Sequence, residues 1–168
     1  MENQNQEFKL TREFNVPRSL MFKVWTEAEH LKNWWGPSGI EIGVAKLDLR
    51  PGGIFHYSMT TPDGHVMWGK FVYREITEPT KLEFVVSFSD ANEGYSRHPM
   101  ANNWPMEILS TIEFTEHKGK TTLHMTGVAI NASNEEVEIF VEGFTSMQQG
   151  WGGTLKQLEV YLKTLGNK

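Results

Sequence analysis

Between Phe8 and Phe14 apolar and polar positions alternate loosely, which predicts a first strand. The spacing then lengthens. Leu20, Met21, Val24 and Trp25 recur at helical intervals behind Pro17, whose missing N–H costs nothing in the first turn of a helix. Thr26-Glu-Ala-Glu29 reads as a capping box opening a second short helix, which carries Leu31 and ends at Trp34-Trp35-Gly36-Pro37. From Ile40 the period becomes two. It predicts strands over 40–48, 53–60, 66–77, 81–89, 106–116 and 120–130, separated by turn signals such as Pro51-Gly52-Gly53, Asp63-Gly64 and Lys118-Gly119. Short connections between successive strands predict an antiparallel meander. The exception is the polar stretch from Ser89 to Pro105, long enough to be expected to serve function or mobility.

Ser133 to Glu136 is a second capping-box candidate. Beyond it Val137, Phe140, Val141, Phe144, Met147, Trp151, Leu155, Leu158, Leu162 and Leu165 are spaced by one, three or four residues, which predicts one long amphipathic helix ending near Gly166. Gly143, Gly150, Gly152 and Gly153 fall inside it, each costing about 1 kcal/mol of helix stability against Ala. That cost is reasonable where the backbone approaches a sheet or a ligand, or where the helix bends. The element order predicts an α+β fold: a curved antiparallel sheet of six or seven strands wrapped around the long C-terminal helix, with two short helices after the first strand.

Composition narrows the function classes. The 168 residues read as a single domain over 1–168, with residues 1–6 expected to be disordered. No cysteine is present, which removes disulfides, thiolate nucleophiles and cysteine metal sites. The net charge is −5 with Lys and Arg scattered, so no nucleic-acid partner is expected. No apolar run reaches the length of a membrane span, and a cytoplasmic location is expected. Six Trp, ten Phe and eight Met supply more broad, soft apolar surface than a tight aliphatic core requires.

Several segments together resemble one family. They are Val16-Pro17, Leu31-Lys-Asn-Trp-Trp-Gly-Pro37, Arg50-Pro-Gly-Gly-Ile-Phe55, Asp63-Gly64, Trp68-Gly69 ahead of Glu75-Ile76 and Pro79, and Gly150-Trp151 with Leu155, Leu158 and Leu162. In this order and spacing, over about residues 8 to 165, the chain resembles the Aha1-like family (Hsp90 ATPase activator C-terminal domain-like) of the START-like (SRPBCC, Bet v 1-like) superfamily. The resemblance implies a helix-grip fold with a deep apolar cavity between sheet and C-terminal helix. It also implies an apolar small-molecule ligand (lipid-, hormone- or polyketide-like), with an Hsp90-type co-chaperone role or a cyclase- or hydrolase-type enzyme as alternatives. A homodimer is a further candidate.

Strand alternation, set in that fold, turns Phe55, Tyr57, Met59, Phe71, Phe84, Phe88 and Ile108 toward the helix. With Trp34, Met106, Phe144, Met147 and Trp151 these are the expected pocket residues. Each taken singly also reads as ordinary core. Of the adjacent indoles, Trp35 is expected to anchor beneath the short helices and Trp34 to approach the pocket. The six histidines show no metal-ligand spacing, and neither a metal nor another cofactor is expected. His56 and His98 are the candidates for polar contact with a ligand or for acid–base chemistry. No GxSxG elbow occurs, and Glu107 and Glu113 alternate to the outer face of their strand.

Overall fold

The computed structural model describes residues 7–36, 39–96 and 103–166. In chain order the elements are β1 (Phe8–Phe14), α1 (Arg18–Thr26), α2 (Ala28–Trp34), β2 (Glu41–Leu47), β3 (Ile54–Thr60), β4 (Val66–Thr77) and β5 (Lys81–Ser89). They continue with β6 (Tyr95–Ser96), β7 (Glu107–His117), β8 (Lys120–Ile130), α3 (Asn134–Glu142) and α4 (Phe144–Gly166). The sheet order is β1-β8-β7-β5-β4-β3-β2, with β6 paired to β5. Every pairing is antiparallel. The first strand therefore lies against the last, which a pure meander does not give. With α3 and α4 this makes the expected α+β helix-grip architecture.

Strand alternation decides which face is buried. Phe55, Tyr57, Phe71, Tyr73, Leu82, Phe84, Ile112, Phe114, Leu123 and Met125 form the inward face and join one core cluster with Leu155, Leu158 and Leu162 of α4. A second layer of that core comes from α1 and α2 through Met21, Phe22, Trp25, Leu31 and Trp34. The close turn before β3 requires glycine at 53, where a Cβ would stand 2.0 Å from the Asp48 carbonyl oxygen.

Four local features differ from expectation. Pro17 is the extended residue before α1 rather than its first turn, with φ −70° and ψ 156°. The Thr26 capping box does not form: Thr26 ends α1, and its hydroxyl donates to the Phe22 carbonyl at 2.8 Å. At Ser133 the box does form, with Glu136 N–H donating to Ser133 Oγ at 3.1 Å and Ser133 N–H to Glu136 Oε1 at 2.9 Å. The expected loop from Ser89 contains the extra strand β6, pairing Tyr95 and Ser96 with Ser89 and Phe88.

The fourth difference is the break of the long helix at Gly143. Its N–H reaches the carbonyls of Ile139, Phe140 and Val141, closing α3 before α4 starts. The apolar stripe runs unbroken across the junction, so periodicity alone does not reveal it. Among the described residues no helix is long and apolar enough to cross a membrane.

Candidate ligand cavity

The helix grip is tight at one end and open at the other. Along α4, Leu155, Leu158 and Leu162 are buried against the core. Upstream, Met147, Gly150, Trp151 and Thr154 lie on the side of the helix that stands off the sheet, with Gly143 at the junction before it. The space between is a cavity of about 690 Å³, inside the range of about 300–1,000 Å³ that encloses a drug-sized ligand.

Its sheet wall is built from Tyr57 and Met59 of β3, Gly69 of β4, Val86 to Phe88 of β5 and Ile108 of β7. The connection before β7 contributes Trp104, Pro105 and Met106, and α3 contributes Ile139 and Glu142. Gly69 is required by this wall. The Tyr57 ring crosses it so closely that a Cβ would meet the phenol carbon at 2.6 Å. Burial pushes the Tyr57 phenol up to about 12, while a hydrogen bond from the Trp35 side chain pulls the other way. Tyr57 is thus a neutral phenol at ordinary pH.

α4 is tied to the end of α2 by polar contacts. Thr154 Oγ1 donates to the Gly36 carbonyl at 3.1 Å, and Gln157 Nε2 donates to the carbonyls of Gly36 at 2.8 Å and Trp34 at 3.2 Å. These bonds hold Trp35 in the cavity wall, edge-on to Tyr57, Phe71 and Trp151 with ring centroids 6.0, 5.1 and 5.3 Å away.

Of the expected pocket residues, Tyr57, Met59, Phe88, Met106, Ile108, Met147 and Trp151 come together around this space. Phe55, Phe71 and Phe84 share the inward face but lie deeper: the Phe71–Phe84 rings stack 4.0 Å apart, and Phe55 meets Phe71 edge-on at 5.1 Å. Phe144 turns to Phe8 and Phe140. The two indoles exchange their expected places. Trp34 is 1% exposed and donates Nε1–H to the Val24 carbonyl at 3.0 Å, whereas Trp35 lines the cavity. The cause is helix termination. Trp34 is the last residue of α2 and points back under α1, and the chain turns extended at Trp35.

His56 is on the opposite face of the sheet. It is 3% exposed, stacks on Trp68 at 4.7 Å, and its Nε2 lies 2.9 Å from the Asp90 carbonyl, to which the N–H tautomer donates. Lys70 beside it donates to the Glu93 carbonyl at 2.7 Å and sits 3.9 Å from the Tyr95 ring centroid. Together they clasp the β5–β6 turn onto the sheet. His98 lies outside the described residues. Residues not anticipated at the cavity include Trp104, Pro105, Ile139, Glu142, Ser146 and Thr154. The glycines of the long helix were the available signal, since they reported that α3 and α4 bend around something. Among the described residues no three His, Asp or Glu side chains converge as a metal centre would require.

The family model for activator of Hsp90 ATPase homolog 1-like proteins matches residues 15–163. The chain belongs to this family. Solved structures of similar fold include a Nitrosomonas europaea protein, 27% identical over 96% of this chain and 97% of that one, with a TM-score of 0.73. A Mycobacterium smegmatis protein is 26% identical over 93% and 90%, with a TM-score of 0.75. An Arthrobacter aurescens protein is 21% identical over 98% and 90%, and its TM-score of 0.80 speaks for the fold alone. No curated protein matches the sequence. For an Hsp90-activator-homologue-like chain, the matched span takes in every cavity-lining residue, from Trp35 to Thr154.

Proposed function

We propose that this protein binds an apolar small molecule, lipid-, hormone- or polyketide-like, in the cavity between sheet and α4. The observation that carries the reading is the cavity itself: about 690 Å³ walled by Trp35, Tyr57, Phe88, Trp104 and Trp151 with aliphatic and Met side chains between them. Apolar concavities with few polar groups are the usual form of a small-molecule site. Met59, Met106 and Met147 give the wall adaptable surface. Binding is favoured over chemistry because His56 stands on the other side of the sheet, already committed to the Asp90 carbonyl. An Hsp90-directed role stays with the family's name and is not part of this proposal.

The test is native mass spectrometry of the gently purified protein, followed by titration with the neutral probe N-phenyl-1-naphthylamine while tryptophan emission is recorded. The expected result is saturable one-to-one binding with quenching of the cavity indoles. Absence of a bound mass together with non-saturating probe uptake would refute the reading.

A further inference from the structure

The charge pattern of the cavity selects among apolar ligands. Glu142 is the only charged side chain in its lining among the described residues, and it is exposed. No ion-pair partner for it occurs among the described residues. Helix ends do not mask it. The C-terminus of α3 and the N-terminus of α4 meet at Gly143, so their opposite end charges largely offset. The neighbouring lining side chain is aromatic: Trp104 packs against Gly143, the residue after Glu142.

An aromatic ring beside a carboxylate with no ion-pair partner among the described residues has a definite preference. Ring faces attract cations, and a carboxylate at the same place adds to that attraction. A ligand carboxylate would instead meet a like charge, with no Lys, Arg or His lining the cavity among the described residues to receive it. The overall charge of −5 acts in the same direction on approach.

We propose that the ligand is an amphiphile with a cationic, amine-type end held at Glu142 and an apolar body inside the cavity. This rests on the cavity reading above and adds the sign of the head group.

The test uses competition against N-phenyl-1-naphthylamine at low salt, with dodecylamine and dodecanoate below their aggregation limits, on the native protein, Glu142→Gln and Glu142→Lys. The affinity of the neutral probe is measured first on each of the three proteins, and every displacement is referred to that protein's own value. Dodecylamine should displace it about tenfold better than dodecanoate from the native protein, the contrast shrinking as salt is raised. Glu142→Gln should remove most of that contrast, and Glu142→Lys should invert it. Equal displacement by the two amphiphiles, or a preference untouched by Glu142→Lys, overturns the head-group assignment and leaves the cavity standing. If the neutral probe also fails to bind the native protein, cavity and assignment fall together.

Discussion

Trp34 fills the space between α1 and α2, edge-on to Trp25 at 4.8 Å, with its indole N–H spent on the Val24 carbonyl. Trp34→Ala should therefore cost about 3–5 kcal/mol in urea unfolding, as truncation of a fully packed aromatic does. Trp151 borders the cavity and is only partly buried, stacked on Trp25 at 6.4 Å. Trp151→Ala should lower stability by less, about 1–2 kcal/mol, yet weaken probe binding more than Trp34→Ala does. The same residue scale carries a pH prediction. Burial raises the phenols of Tyr57 and Tyr73, and the Tyr73 hydroxyl has no hydrogen-bond partner among the described residues. Both ionise less readily folded than unfolded, where the value is about 10. The stability tied to them is thus intact below about pH 10 and drains away as pH rises toward 12. Urea midpoints between about pH 9 and 11 should fall, and the Tyr57→Phe/Tyr73→Phe pair should flatten the fall. Tyr73→Phe alone, by removing an unpartnered buried hydroxyl, should raise stability at neutral pH by about 1 kcal/mol.

The helix junction governs the cavity at the scale of elements. A Cβ at Gly143 would meet the Trp104 ring at 3.1 Å, so α3 and the Trp104–Met106 connection share this point of contact. Gly143→Leu should push the indole off its seat and lower stability by about 1–3 kcal/mol, read as a lower urea midpoint with altered near-ultraviolet dichroism. On the outer face, the clasp of His56 and Lys70 onto the 90–94 turn accounts for two buried polar side chains that alternation assigns to solvent. Their burial was illegible in the sequence because the covering turn comes from β5–β6, more than twenty residues away. The Thr26 capping box misled for a local reason: α1 runs one residue further than its apolar stripe, and the hydroxyl turns back to Phe22.

Over the whole molecule, the legible part was the alternation of the strands, because one face of the sheet packs on the apolar core while the other is covered only in part. That placed Phe55, Phe71, Phe84, Tyr57 and Met59 on the same side. What alternation does not encode is position along the strand relative to where α4 lifts away. So Phe55, Phe71 and Phe84 belong to packed core, while Tyr57, Met59 and Phe88 border open space. Trp34 and Trp35 were exchanged because the last turn of a seven-residue helix decides which of two neighbours points inward. The family pattern carried the fold through all of this, and the cavity is what the fold leaves unfilled.

Gly150 gives the most direct test of the central claim, that this space holds a ligand. It lies on the cavity side of α4 between Met147 and Thr154, and a Cβ there would meet nothing within 4 Å. Gly150→Phe places a ring in the space while relieving part of the helix cost of glycine, roughly 0.5 kcal/mol. The measurement is N-phenyl-1-naphthylamine affinity alongside the urea midpoint. The account predicts a protein at least as stable as the native one whose probe affinity falls tenfold or more. Unchanged affinity in a stably folded Gly150→Phe protein would contradict it.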